Sequence, residues 1–123
     1  MIAYSPFGSP DLPWGEKLPH ILVDSELKTI ADKYKKSTAN VVLRWLLQRG
    51  IPTIPKSVIT SELLNNMEAF DFELNHDEMQ QISAMNKNIR KIVPINKLKS
   101  GEVVLRDGKS KHFPFFIEEK IVY

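Results

Sequence analysis

Apolar positions in this chain alternate between short continuous runs and stretches with helical spacing. MIAY at the start is a brief β-prone run that stops at SPFGSPDLPWG, dense in Pro, Gly, Ser and Asp, which predicts a strand followed by a long loop. From Asp24, SELKTIADKYKK sets Leu27, Ile30, Ala31 and Tyr34 at helical spacing, with acids early and lysines late as the helix dipole prefers. Asp24 or Ser25 is the expected cap. A second helix follows at once, with Ser37 or Thr38 as cap and ANVVLRWLLQR as a nearly continuous apolar body that Gly50 closes. Ile51 to Ile54 then reads as a second strand, kept short by its prolines. Thr60 or Ser61 caps a predicted helix through SELLNNMEAF, and Asn75 with Glu78 three positions on gives HDEMQQISAM a capping-box start.

The predicted order is strand, helix, helix, strand, helix, helix, an α/β layout in which the strands pair in parallel through crossovers. Two parallel strands do not close a sheet, and both would expose unpaired edges unless other strands complete it. The pattern therefore describes part of a larger barrel or sheet. Past Asn86 the signal fades into a polar, lysine-containing tail, with a hairpin expected around EVVLRDGK and an aromatic knot at HFPFF.

Composition narrows the function classes without choosing among them. The 123 residues are 42% hydrophobic and 26% charged, ordinary globular values, and the formal net charge of +2 is too small to argue for nucleic acid or an anionic membrane. No apolar stretch approaches the ~18 to 20 residues of a membrane span, and the first residues lack a signal peptide's basic and apolar blocks. With no cysteine there is no disulfide framework and no thiolate chemistry, so a cytoplasmic location is the expectation.

In α/β sheets and barrels, ligands bind where strands end and loops meet helix N-termini. That rule selects Tyr4-Ser5-Pro6 after the first strand and Lys56-Ser57-Val58 after the second. At the second, a cation, a hydroxyl and the N–H groups of the following helix could hold a phosphate from three directions. Taken locally, the same pair also fits a solvated loop, and Tyr4 fits packing. His20, His76 and His112 lack metal-ligand spacing and read as surface or capping residues, and no metal site is expected. Trp14 suits loop packing and Trp45 a buried helix face. GxGxxG, Walker and GxSxG motifs are absent.

Three blocks carry the reading further. AYSPFGSPD at 3–11, LRWLLQRGIPTIPKSV at 43–58 and NNMEAFDFEL at 65–74 resemble, in order and spacing, the C-terminal part of the aldo-keto reductases, NADPH-dependent oxidoreductases on a TIM (β/α)8 barrel. The resemblance implies that the chain holds strands seven and eight with their helices, and that 92–123 is the C-terminal tail bordering the substrate pocket, HFPF included. It further implies that Tyr4 stacks on the nicotinamide with Ser5 beside it, that Phe7 and Ser9 belong to the loop folding over the pyrophosphate, and that Asp11 ties this strap down. Lys56 and Ser57 would bind the phosphate on the adenosine ribose, Val58 would offer its backbone, and Asn66 would bond the adenine. Departures from the family pattern include Phe7 for a more usual leucine, Ile59 for a hydroxyl residue, Glu62 for an arginine and Asn65 for a glutamate, the last two within the expected cofactor site. A carboxylate beside a phosphate is repulsive, so Glu62 predicts a weakened preference for NADPH over NADH.

The family's catalytic tyrosine, lysine, aspartate and histidine have no counterpart in these 123 residues, and Tyr4 is not that acid. A complete barrel has about 250 residues, so the chain would lack the first six strands. The expectation is an aldo-keto reductase-type portion, inactive alone toward aldehydes and ketones, with a small carbonyl compound as the substrate of a complete form. The alternative is a non-catalytic chain that acts by association with other chains.

Overall fold

The computed structural model describes residues 1–8, 20–86, 95–97, 100 and 103–105. The expected strands form, as β1 (Ala3–Tyr4) and β2 (Thr53–Ile54), and they pair in parallel with Ala3 opposite Thr53 and Tyr4 opposite Ile54. The Ala3 N–H donates to the Pro52 carbonyl at 2.8 Å, extending the ladder by one bond. Alternation then gives the sheet two different faces. Ala3 turns toward a helical core, whereas its neighbour Tyr4 is 71% exposed and Ile54 opposite it 57% exposed.

Between the strands run α1 (Ser25–Tyr34) and α2 (Thr38–Gln48). Asp24 caps α1, its Oδ1 accepting from the N–H groups of Glu26 and Leu27 at 2.9 and 3.4 Å. His20 plays the same part for a preceding 3-10 turn, Ile21–Val23, accepting the Leu22 N–H on Nδ1. Serine 37 caps α2 in a reciprocal box whose third position is Asn40. Both helices end in paired reverse bonds from a left-handed residue. Lys35, at φ 54°, donates to Asp32 while Lys36 donates to Ala31; Gly50, at φ 69°, donates to Leu47 while Ile51 donates to Leu46.

Gly50 has open space around the position of a Cβ, so a side chain there meets only the backbone cost of positive φ. Gly50→Ala is therefore expected to lower stability by about 1 kcal/mol, read as a shift in urea midpoint at constant slope. A loss several times larger would mean that α2 and β2 rearrange.

After β2 come α3 (Thr60–Met67), a 3-10 turn (Glu68–Phe70) and α4 (His76–Ala84). The cap of α3 differs from the expected Thr60 or Ser61: the N-cap is Ile59, with no side-chain bond, and both hydroxyl residues are already helical. The reason lies upstream, where the Ser57 hydroxyl accepts the Ile59 N–H at 3.2 Å and turns the chain into the helix early. The capping box of α4 is as expected, with Asn75 and Glu78 exchanging backbone and side-chain bonds at 2.9 Å.

Helical spacing puts Leu27, Ile30 and Ala31 of α1 against Val41, Val42 and Leu46 of α2, and Leu74 and Ile82 complete this core. Burying a residue the size of Leu27 or Val41, both fully buried, contributes about 1.5–3 kcal/mol, more than the cost of any one cap. Trp45 is only half-buried: its indole N–H donates to the Met79 carbonyl at 3.3 Å and its ring carries Arg49 at 4.3 Å.

Residues 1–86 form one compact unit and 87–123 a second. In the second, β3 (Ile95–Lys97) pairs antiparallel with β4 (Val103–Leu105), Ile95 opposite Leu105. The strand pair expected around EVVLRDGK thus has its partner arm upstream of that stretch. Trp14, His112 and the HFPFF knot lie outside the described residues.

Candidate functional site

Parallel pairing brings the two predicted sites together. Because Tyr4 and Ile54 are register partners on strands running the same way, Tyr4-Ser5 and Lys56-Ser57 leave the sheet at the same end. At the first of these exits the backbone turns sharply: Ser5 is left-handed at φ 48°, and its carbonyl accepts the Gly8 N–H at 2.8 Å. A non-glycine residue there costs roughly 1–2 kcal/mol, offset by Phe7, which packs on the helical core just beyond. The turn holds the Tyr4 ring at the rim of the bare sheet face.

The second exit is polar. Lys56 is exposed, Val58 is exposed, and Ser57 is half-buried with its hydroxyl engaged twice. Its Oγ accepts from Ile59 N–H and lies 2.6 Å from Glu62 Oε2 and 3.2 Å from the Ile59 carbonyl. A hydroxyl has one proton, and the short charge-assisted bond to Glu62 takes it. On α3, Glu62 and Asn66 are four residues apart and share a face. Asn65 is turned toward α2 instead: its Oδ1 is 3.0 Å from Ser37 Oγ, and its carbonyl accepts from Asn40 Nδ2 at 2.6 Å.

Tyr4, Ser5, Phe7, Lys56, Ser57 and Val58 thus follow one end of a two-stranded sheet, with Glu62 in the first turn of α3 and Asn66 one turn further along it. Ser9 and Asp11 lie outside the described residues. Two features were not anticipated from sequence. One is Ile54 as Tyr4's neighbour on the bare face, which strand alternation would have signalled; the other is the Ser57 to Glu62 bond, for which a five-residue separation gives no signal. No group of three or more His, Asp or Glu side chains among the described residues could hold a metal, and no described helix is long and apolar enough to cross a membrane.

An α/β unit with polar groups at the carboxyl ends of adjacent parallel strands is the type of arrangement used by barrel and open-sheet ligand-binding proteins. Residues 1–87 match the Aldo/keto reductase family, and the chain belongs to that family. Among curated relatives it is 47% identical over 116 residues to Aldo-keto reductase family 1 member A1-A of Danio rerio, which takes in 92% of this chain and 35% of that protein. It is 41% identical over 114 residues to the Homo sapiens Aldo-keto reductase family 1 member A1, with the same coverage of 92% and 35%. The chain therefore spans about a third of the length of these relatives. Among solved structures, the aldose reductase of Schistosoma japonicum superposes with a TM-score of 0.63 at 33% identity, over 75% of this chain and 27% of that one. An aldo-keto reductase from a deep-sea metagenome library gives 0.63 at 29% identity, over 72% and 31%.

Proposed function

We propose that this chain is the C-terminal part of a TIM-barrel aldo-keto reductase, with β1 and β2 as strands seven and eight, and that it supplies the cofactor side of an NAD(P)H-dependent oxidoreductase that reduces aldehydes and ketones to alcohols. The observation that carries the reading is the parallel β1–β2 pair, which sets Tyr4 and Lys56-Ser57 at one end of neighbouring strands in a member of this family. An extended dinucleotide would lie along that end. The exposed Tyr4 ring suits stacking on the nicotinamide, the Ser5 turn positions that ring, and Lys56 with the start of α3 suits the adenosine end. Asn66 faces the same side as Glu62 and fits the adenine. A bound nicotinamide would supply hydride to the carbonyl carbon, while the family's proton-donating tyrosine has no counterpart in this sequence.

The bare side of the sheet supports the same reading. Ile2, Tyr4 and Ile54 are exposed apolar groups on or beside two strands with unpaired edges, as expected where further strands and a bound cofactor would cover them. That surface also favours the second reading, association with another chain.

Two measurements test the proposal. The isolated chain is expected to show no NADPH consumption with a generic aldehyde, and a chain joined to the first six strands of a family member is expected to show turnover that Tyr4→Ala lowers about tenfold or more. Turnover by the 123 residues alone would place a proton donor within them and overturn the assignment.

A further inference from the structure

We propose that Glu62 makes the adenosine end of this site select an unphosphorylated ribose, so that the chain favours NADH over NADPH; this rests on the cofactor reading above and deepens it. The Ser57 hydroxyl lies at the entry to α3, and its single proton is committed to Glu62 Oε2 at 2.6 Å. A phosphate oxygen on the ribose could accept from Ser57 only by displacing that carboxylate. Even then the two anions stay near each other: a phosphate oxygen that took the proton at about 2.7 Å would lie within about 5.3 Å of a carboxylate still at its 2.6 Å position. That is well inside the Debye length of about 8 Å at physiological salt, so screening does not remove the repulsion. Lys56 brings one positive charge to the loop and Glu62 removes it, leaving no net charge from the pair to attract a phosphate.

A ribose with both hydroxyls unmodified meets the opposite situation. Its hydroxyls are donors, and Glu62 presents Oε1 as an acceptor beside the Ser57 bond, so the diol can bind without disturbing the existing pair. Ser57 also holds Ile59 N–H at 3.2 Å, which fixes the turn and with it the position of Glu62 one helical turn later. The hydroxyl therefore acts here as a positioning group for a carboxylate. The charge, its fixed position and its claim on the Ser57 proton all discriminate in the same direction.

Nuclear magnetic resonance titration of the chain with adenosine 5′-monophosphate and with adenosine 2′,5′-bisphosphate tests this on the adenosine end alone. The expected result is movement of the backbone signals of Ser57, Ile59 and Asn66 by both nucleotides, with the monophosphate bound at least about tenfold tighter. Glu62→Gln, which keeps an acceptor for Ser57 and removes the charge, is expected to narrow that ratio, and Glu62→Arg to invert it. Tighter binding of the bisphosphate to the unaltered chain would overturn the selectivity while leaving the cofactor site standing. No shift in these residues with either nucleotide would overturn both.

Discussion

Replacing Asn40 by alanine is expected to cost about 3 kcal/mol of stability, one of the two largest effects of any polar substitution in the described residues. Asn40 is completely buried at the third position of α2. Its Oδ1 accepts the Ser37 N–H at 3.0 Å and lies 2.6 Å from the Ser37 hydroxyl, and its Nδ2 donates to the Asn65 carbonyl at 2.6 Å. Alanine removes one half of a capping box, at about 1 kcal/mol. It also leaves the Ser37 N–H short of its acceptor in part-buried surroundings, at about 1–3 kcal/mol, and takes from the Asn65 carbonyl one hydrogen bond, worth about 1 kcal/mol net, while the Glu68 N–H still donates to it. These losses share atoms and do not add fully, which sets the total near 3 rather than at their sum. Asn40→Asp keeps the cap acceptor but turns a carboxylate toward the Asn65 carbonyl, so it is expected to be no better than alanine. Urea midpoints at unchanged slope measure both. A loss below about 1 kcal/mol would show that apolar contact alone holds α3 on α2.

The same substitution reaches the candidate site, because the Asn40 bond is what fixes α3 by its backbone. Glu62 and Asn66 sit on that helix, and their neighbours Leu63, Leu64 and Met67 are exposed, so little core packing stands in for the lost bond. Faster amide exchange along α3 than along α1 is the expected signature in Asn40→Ala. The Asn40 bond and the Ser57 turn thus both help to hold Glu62 and Asn66 in place.

Local chemistry was readable in the sequence wherever it involved residues a few positions apart. Asp24, Ser37 and Asn75 cap the helices they precede, Gly50 closes α2, and the two short apolar runs pair in parallel. Contacts between distant elements were not readable. Asn40 is an unremarkable polar position until α3 lies against it, and Glu78 reads as a cap residue until α1 arrives from more than 40 positions upstream. At the site, Lys56, Ser57 and Tyr4 follow from the rule about strand ends. The Ser57 to Glu62 bond does not, since it depends on a turn that starts α3 before either expected cap. The early start replaces an internal helix cap with a carboxylate bond to the loop after β2.

Glu78→Ala is expected to lower stability by about 2–3 kcal/mol at neutral pH, and the unaltered chain to lose the same contribution in acid. The Glu78 side chain is nearly buried and receives three donors: Lys33 Nζ at 2.6 Å, the Tyr34 hydroxyl at 2.7 Å and the Asn75 N–H at 2.9 Å. Burial pushes its carboxyl up, but the bonds from Lys33, Tyr34 and Asn75 outweigh that and hold it below its ordinary 4.5. A lowered folded value means that the ionised group stabilises the fold above about 4.5 and that this stabilisation fades as pH falls through the folded value. The Lys33 ammonium is more than half exposed, so most of the expected loss comes from leaving the Tyr34 hydroxyl and Asn75 N–H unmet rather than from the ion pair. Lys33 and Tyr34 set the alkaline limit. The Glu78 bond raises Lys33 above 10.5, and burial followed by the same bond raises Tyr34 above 10.0, so stability falls again as the pH climbs past about 10. Glu78→Gln keeps the shape and one acceptor; it should cost less than alanine at pH 7 and flatten the acid side of the profile. Thermal midpoints of the three forms between pH 3 and 8 decide the matter, and an acid limb as steep in the glutamine variant as in the unaltered chain would assign acid sensitivity to a carboxylate other than Glu78.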